Sequence, residues 1–353
     1  IVGARNMIGI GIATATAGII VGVVSQTGVG SALADVVEVL SGGNILAILF
    51  LTAILSLILG MGLPTTANYI VVSALLAPVI VTLGQQNGLI VPLIAVHLFV
   101  FYFGIMADVT PPVGLASFAA AAVSGGDPIK TGIIAFFYSL RTAALPFLFI
   151  FNTELLLIDV TIAQGIFVFI IATFAMLLFA AATQGWFLAK NRFYETIALL
   201  LIAFTLFRPG FWMDMVFPPF EEEAPAAIVQ AAAETRAGED LRIKVSGVGD
   251  FGDPIEFVSL LPIGGAATGE ERLEVAGIVT RTEGDRMFID DVVYGSPAQT
   301  AGLDWDQEIL RVLKPVPTPS KYWMFIPALL LLALVVMLQR ARNQRGTRKT
   351  VTA

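Results

Sequence analysis

The 353 residues are 57% hydrophobic and 13% charged, with a formal net charge of −7, no cysteine and one histidine. Soluble domains carry about 25% charged and about 45–50% apolar residues, so this excess of apolar side chains indicates a lipid-embedded protein. The lack of cysteine excludes disulfides, thiolate metal sites and thiol nucleophiles, and a single histidine argues against histidine-rich metal sites and Ser-His-Asp triads.

The acidic residues are concentrated between Glu221 and Asp306, whereas most basic residues lie elsewhere. The net charge therefore gives no indication of nucleic-acid binding, and we expect none. Because the chain opens at Ile1 without a methionine and runs directly into apolar sequence, we expect it to be a fragment of a longer protein.

A series of apolar segments follows, each a candidate membrane helix. They are 7–24, 44–60, 65–83, 89–107, 113–124, 131–151, 160–183, 193–209 and 322–338. Only the stretch 60–64 separates the second from the third, too little to cross a headgroup region, so we interpret them as a re-entrant hairpin. The fourth and fifth are split at 108–112, where two prolines disfavour helix. We interpret these two as one helix broken in mid-membrane.

Short cytoplasmic loops are rich in Lys and Arg. The basic tail after the last segment therefore predicts a cytoplasmic C-terminus. Counting the spans back from that end places 221–320 on the outer side of the membrane. The basic residues that the same count assigns to the cytoplasmic side are Arg5, Lys130, Lys190, Arg192, Arg340, Arg342, Arg345, Arg348 and Lys349.

The stretch 221–320 is charged, rich in Gly and Pro, and holds short runs typical of strands at 241–248, 272–280 and 287–293. We interpret 221–238 as an acidic, alanine-rich linker or helix. The predicted fold class is therefore an α-helical polytopic membrane protein with a small, mainly-β soluble domain.

Non-helical backbone inside a bilayer must be buried in protein or line a polar cavity. The stretch 60–69 supplies glycines for unusual backbone angles and Thr and Asn oxygens, and the second break adds the carboxylate of Asp108. We predict a binding site where the two breaks meet, with half-helix ends and free carbonyls as ligands. The alternative is that both are tight loops near a membrane surface, with Asp108 in water.

Two further polar residues lie in apolar segments. Arg141 would balance an anionic substrate or form a structural pair with Asp108 or Glu154, and we favour the pair. His97, on an apolar helix, is expected to be a packing residue with its hydrogen bonds satisfied rather than a proton carrier.

The sequences GMGLPTTANY (60–69) and HLFVFYFGIMADVTPPVGLASFAAAAVSGG (97–126) resemble the large membrane (permease) subunit of TRAP transporters, the tripartite ATP-independent periplasmic family. The blocks TAGIIVGVVSQTGVG (16–30), DPIKTG (127–132) and PFLFIFN (146–152) extend the resemblance over roughly 1–155. The additional C-terminal helices look like those of fused permeases that pair with TAXI-type binding proteins.

The resemblance implies an elevator-type symporter of the bacterial inner membrane, in which sodium drives import of carboxylate-bearing solutes such as dicarboxylates. A periplasmic solute-binding protein would deliver the organic anion, sodium would be the coupling ion, and no other cofactor is expected. In such permeases two inverted repeats each supply a hairpin and a broken helix, and this chain would hold the second repeat.

The same resemblance implies the site residues. The hairpin tip would comprise Gly60, Gly62, Pro64, Thr65, Thr66 and Asn68. The unwound stretch would comprise Asp108, Thr110, Pro111 and Pro112. Candidate sodium ligands among them are Thr65, Thr66, Asn68, Asp108 and Thr110.

The sequence VVYGSPAQTAGLDWDQEILRV (292–312) resembles the core of PDZ domains, with Asp306-Gln307 in place of the usual Gly-Asp. A PDZ-like extracytoplasmic domain would bind peptides by strand addition, or serve as a structural cap or docking surface.

We divide the chain into the permease module (1–155), additional membrane helices (156–212), the acidic linker with the PDZ-like domain (213–320), and a last helix with its basic tail (321–353).

Two functions from different classes remain open on the sequence. The first is a sodium-coupled permease component, and the second is a membrane-tethered PDZ-like adaptor or scaffold. An enzyme is disfavoured because no nucleophile–base pair is evident.

Overall fold

The structure is a computed structural model that describes residues 44–60, 65–86, 89, 91–107, 109–110, 114–248 and 254–351, with scattered positions between 15 and 41. The chain divides into two compact units. One consists of Ile1–Val81, Val91–Met213 and Ser320–Ala353, and the other of Thr82–Ile90 and Asp214–Pro319. The predicted segment 7–24 lies outside the described residues, apart from isolated positions.

Five helices open the continuously described part of the chain. They are α1 (Ile45–Gly60), α2 (Thr65–Gln86), α3 (Leu93–Met106), α4 (Leu115–Ser124) and α5 (Pro128–Phe151). α3 packs against α1 and α5, and α4 packs against α5. Asp127 caps α5 by accepting from the Lys130 N–H at 2.8 Å, and Pro128 suits the first turn. The bounds are close to those of the predicted apolar segments.

A 3-10 turn (Thr153–Leu156) leads to α6 (Ile162–Thr183), α7 (Phe193–Phe207) and α8 (Gly210–Val216). α7 ends two residues before the end of the predicted segment 193–209, and the helix axis turns by 82° between α7 and α8. Pro209 lacks the N–H that a helix needs and disfavours helical backbone at Arg208 before it.

The second unit is an antiparallel sheet with three short helices. Its strands are β1 (Phe220–Glu223), β2 (Asp240–Val248), β3 (Pro254–Pro262), β4 (Ile278–Glu283), β5 (Arg286–Val292) and β6 (Glu308–Pro315). Its helices are α9 (Ile228–Glu234), α10 (Gly269–Ala276) and α11 (Pro297–Thr300). The strand order is β3-β2-β6-β5-β4, and β1 pairs with β6. The predicted mainly-β domain is therefore a separate antiparallel-sheet unit.

Strands and helices of this unit share one apolar core. Arg272 of α10 joins its helices, because its Nη1 donates to the carbonyls of Ala232 (3.1 Å) and Thr235 in and after α9. The core contains Ile228, Ala232, Leu241, Ile243, Val245, Leu261, Leu273, Ile278, Ile289, Ala298, Ile309 and Val312. A core of this kind stabilises the unit without help from lipid.

Gly277 joins α10 to β4 with a left-handed φ of 93°. A Cβ there would lie 2.2 Å from the Cβ of Ser296, the residue that caps α11 by accepting from the Gln299 N–H at 3.2 Å. The Gly277 carbonyl also accepts from the Val293 N–H at 2.9 Å. Glycine is required both by the backbone angle and by the lack of space.

Two local predictions for this unit need correction. The stretch 272–280, predicted as a strand, holds the end of α10 followed by the start of β4. A capping box begins this helix, since the Glu271 N–H donates to Thr268 Oγ1 (3.3 Å) and the Thr268 N–H donates to Glu271 Oε2 (3.2 Å). The stretch 221–238, predicted as linker or helix, contains most of β1 as well as α9.

An ion pair on the sheet makes the stability of this unit depend on pH. Arg286 Nε donates to Glu308 Oε1 at 2.7 Å, and its Nη2 donates to Oε2. These bonds lower the pKa of Glu308 below the ordinary value of 4.5. A lowered folded-state pKa adds stability above the unfolded-state value, and this contribution is lost as pH falls through the folded-state value.

We therefore expect Glu308→Gln to destabilise the β unit at neutral pH, and the difference from wild type to shrink as pH falls below 4.5. Hydrogen exchange of residues 220–315 in the intact protein, corrected for intrinsic rates, measures this difference. A difference that stays constant down to acid pH would contradict the assignment.

The last helix, α12 (Phe325–Val351), follows a 3-10 turn at Lys321–Met324 and packs against α7, which in turn packs against α6. The buried residues that join the three helices are Ala175, Leu178, Ala182, Leu199, Ile202, Ala203, Leu206, Phe207, Ala328 and Val335. Among the described residues, Pro128–Phe151, Ile162–Thr183 and Lys321–Gln344 are each long and apolar enough to cross a membrane. The bent pair α7–α8 would add a fourth span.

A buried polar cluster, formed by Asn191, Glu195, Gln339 and Arg342, fixes α12 to α7. Glu195 and Gln339 are fully buried. Arg342 Nη1 donates to Glu195 Oε1 at 2.9 Å, and Gln339 Nε2 donates to Glu195 Oε2 and to Asn191 Oδ1, both at 3.0 Å. Gln339 Oε1 accepts from two backbone N–H groups of the α6–α7 loop. This polar cluster is thus extensively hydrogen-bonded, as a buried charge requires.

Candidate functional site

The predicted hairpin tip lies between α1 and α2. Gly60 is the last residue of α1, and Thr65 and Thr66 are the first two of α2. Thr65 is half-buried and Thr66 is exposed. Gly62 and Pro64 lie outside the described residues. The helices therefore end and restart at the residues that the sequence assigned to the tip.

The second predicted break separates α3 from α4. The Thr110 N–H still donates to the Met106 carbonyl at 3.1 Å, and helix resumes only after Gly114, whose φ is 40°. Thr110 is buried, and so is Ser117, whose Oγ donates to the Val109 carbonyl at 3.1 Å. Asp108, Pro111 and Pro112 lie outside the described residues. Within the described part of the chain, no hydrogen bond joins Thr110 to the hairpin.

Asn68 is the predicted site residue with the most distinctive surroundings. Its side chain is fully buried, and its Nδ2 lies 3.5 Å from the Ser56 carbonyl of α1, the far limit of a hydrogen bond. On the other side it faces Gly104 of α3, where a Cβ would lie 3.0 Å from Nδ2. The amide is therefore held between α1 and α3.

Two hydroxyl residues on α1, missed in the sequence analysis, lie on the same buried side. Thr52 and Ser56 are both fully buried, and Ser56 Oγ donates to the Thr52 carbonyl at 2.7 Å. Their spacing of four residues in an otherwise apolar helix places them on one face, which was the available sequence signal.

Among the described residues, the Asn68 Oδ1 and Thr52 Oγ1 atoms are buried without a hydrogen-bond partner. A buried, unpaired polar atom costs about 1–3 kcal/mol, and such atoms in folded proteins call for a ligand, ion or water. The described residues include no group of three or more His, Cys, Asp or Glu that could hold a metal. The candidate ligand atoms among the described residues are therefore neutral oxygens, which suit a hard cation better than a transition metal.

Tyr69, next to Asn68, connects α2 to α3. Its hydroxyl lies 3.0 Å from His97 Nδ1, and its ring meets that of Phe101 edge-on with centroids 5.5 Å apart. This contact agrees with the interpretation of His97 as a hydrogen-bonded packing residue. It also fixes the backbone that carries Asn68.

The proposed pair between Arg141 and Glu154 is wrong. Arg141 Nη2 donates to the Tyr138 carbonyl at 3.1 Å, one helical turn earlier. Glu154 instead accepts from Lys321 Nζ at 2.6 Å, at the start of the last helix. A partner 167 residues away in sequence left no local signal. The other predicted partner, Asp108, is outside the described residues.

Replacing Gly104 with alanine should displace the Asn68 amide, because the new methyl group would lie 3.0 Å from its nitrogen. We expect transport to fall several-fold and stability to fall by about 1–3 kcal/mol, as for other overpacked sites. Uptake and thermal unfolding of the purified protein measure the two effects. Gly165→Ala is the control, since its methyl would meet the flexible end of Leu157 at 3.3 Å and would only touch Val160 at 4.0 Å. Equal effects of the two substitutions would contradict a specific role for Gly104.

Two family models match the chain. Residues 1–164 match the one described as tripartite ATP-independent periplasmic transporter, DctM component. Residues 165–345 match the one described as a domain of unknown function, DUF3394. Neither the curated proteins nor the solved structures gave a significant match.

The first match agrees with the apolar helices and supports the membrane permease component of a secondary transporter, multi-pass in the inner membrane. The family is one of transporters rather than enzymes, and its members work with a periplasmic binding protein and a small membrane subunit. The second match covers just over half of the chain. The chain therefore belongs to the DUF3394 family, and this domain follows a segment similar to the DctM permease component of TRAP transporters.

Proposed function

We propose that the chain is a component of a sodium-coupled, elevator-type permease that imports a carboxylate-bearing organic anion, with 1–155 as the second inverted repeat of the transport module. The supporting observation is the Asn68 Oδ1 atom, which is buried without a hydrogen-bond partner among the described residues. Asn68 lies just after the interruption between α1 and α2 and faces Gly104, which lies just before the interruption between α3 and α4. In secondary transporters such interruptions supply carbonyl oxygens and half-helix ends to coupling ions and anionic substrates.

In this proposal the oxygens of Thr65, Thr66, Asn68, Asp108 and Thr110 are the candidate sodium ligands. Gly60, Gly62, Pro64, Pro111 and Pro112 shape the backbone around them. Sodium is a hard cation and prefers such oxygen donors over nitrogen or sulfur. The proposed solute is an anion, such as a dicarboxylate, that a periplasmic solute-binding protein delivers.

The proposal also covers the arrangement of the chain. The segment 221–320 is periplasmic, the C-terminus is cytoplasmic, and the permease is of the fused, TAXI-type class. The domain limits at 155, 212 and 320 stay predictions. The outer domain is PDZ-like, and its GSPA sequence (295–298) begins α11, which Ser296 Oγ caps by accepting from the Gln299 N–H.

The function is tested by uptake into proteoliposomes that contain the full-length protein and its binding protein. We expect accumulation of the solute only when a sodium gradient points inward. Uptake that is indifferent to that gradient would refute the coupling.

Asp108→Asn and Thr66→Ala test whether the proposed residues form the binding site, independently of the test for sodium-coupled uptake. Asp108→Asn removes a carboxylate charge and Thr66→Ala removes a hydroxyl oxygen, each at one of the two interruptions between helices. Each should therefore reduce uptake while the protein stays folded. Full activity in both variants would place the site elsewhere in the protein.

A further inference from the structure

The bend between α7 and α8 is held by side chains on both sides of it. The Trp212 Nε1–H donates to Thr205 Oγ1 at 3.0 Å. The Phe204 ring meets those of Phe211 and Trp212 edge-on, with centroids 5.2 and 6.0 Å apart. The Arg208 guanidinium lies over Phe211 and, at 4.2 Å, over Phe151 at the end of α5. The angle of 82° is therefore fixed by packing as well as by Pro209.

The length of α7 places this bend near one surface of the membrane. α7 has 15 residues and spans about 22 Å at 1.5 Å per residue, whereas the hydrocarbon core is about 30 Å thick. It packs against α6 and α12, which are long enough to cross. Because α8 runs almost perpendicular to α7, it adds almost no depth. α8 must then run along the membrane plane at the C-terminal end of α7.

The side chains of α8 suit that position. Met213 is buried against the protein, whereas Met215 and Val216 are 69% and 68% exposed, and Phe217 after the helix is 46% exposed. Trp212 and Arg208 are residue types that favour the boundary between headgroups and acyl chains. An apolar surface of this kind is unfavourable in water.

We propose that α8 and Phe217 form an interfacial anchor that lies in the boundary layer of the leaflet at the C-terminal end of α7. Its occupant is lipid, because α8 follows directly on α7, which packs against two helices long and apolar enough to cross a membrane. Met215, Val216 and Phe217 contact the upper part of the acyl chains. Arg208 and the indole of Trp212 lie at headgroup level.

Spin labels at single cysteines test the proposal in the full-length protein in lipid nanodiscs, and these 353 residues contain no cysteine of their own. Labels replace Met215 and Val216, which are exposed, so folding is undisturbed. Ile170 on α6 serves as the control for a lipid-facing position, and Tyr294, 92% exposed in the β unit, as the control for water.

We expect both test labels to collide more often with oxygen than with a water-soluble nickel complex, at a depth of about 5–10 Å below the headgroup boundary. Collision rates equal to those of the Tyr294 label would show that α8 lies in water. Exclusion of both reagents would show that protein covers this face. Either of these outcomes overturns the proposal.

Discussion

Replacing Asn68 with leucine should raise the sodium concentration for half-maximal uptake by about 10- to 100-fold and leave the protein at least as stable as wild type. Leucine has nearly the same shape but no oxygen. Losing one oxygen ligand costs about 1–3 kcal/mol, and 1.4 kcal/mol corresponds to tenfold in affinity. Stability should be retained because the substitution removes a buried oxygen that has no hydrogen-bond partner among the described residues.

The test is specific because the apparent sodium affinity should fall whereas the stability of the protein should not. The sodium dependence of uptake and thermal unfolding without sodium would be measured on the same preparation. Ser73→Ala is the control, because Ser73 is a half-buried residue of the same helix whose hydroxyl is already bonded to the Ile70 carbonyl at 3.2 Å. If Asn68→Leu lowered stability and left the sodium dependence unchanged, Asn68 would be a structural residue.

Replacing Glu195 with alanine should destabilise the α6–α7–α12 bundle by about 3–5 kcal/mol, the usual cost of breaking a buried ion pair. The substitution would leave Arg342 without its carboxylate and Gln339 without one of its two acceptors. The free energy of unfolding in detergent measures this loss. Glu154→Ala is the matched control, since its pair with Lys321 is about one-third exposed and should contribute much less.

A double substitution distinguishes a broken pair from a cavity. Glu195→Leu with Arg342→Met removes both charges, and Gln339 keeps its bond to Asn191. We expect the double variant to recover most of the lost stability, because apolar residues can replace a buried pair at little cost. A double variant as unstable as Glu195→Ala would show that packing, not charge, determines the effect.

The elements that the sequence predicted well carry their own local signals. The arms of the hairpin and the two interruptions are marked by glycine and proline next to apolar runs, and the helices end close to those residues. The predicted segment 193–209 ends at Pro209, close to the end of α7 at Phe207, but the sharp turn into α8 beyond it was not predicted. Val275 of α10 and Ile278 after Gly277 suggested one strand, although the Thr268–Glu271 capping box indicated a helix.

The site was predictable only in part, for a physical reason. Local sequence identified Asn68 as a polar residue at a helix start, but its burial depends on α1 and α3, which approach it in space. The same limit applies to Glu195, whose partners Gln339 and Arg342 lie about 145 residues further along the chain. Such contacts are set by tertiary packing and leave no periodic pattern.

The junction at Gly277 has a consequence for how the gene can vary. Every missense change of a glycine codon introduces a β-carbon, and here that atom would occupy the space of Ser296 on a backbone that L-residues avoid. Only synonymous changes are therefore neutral at this codon. A population of natural alleles should contain silent variants there and few others, even where neighbouring surface codons have diverged.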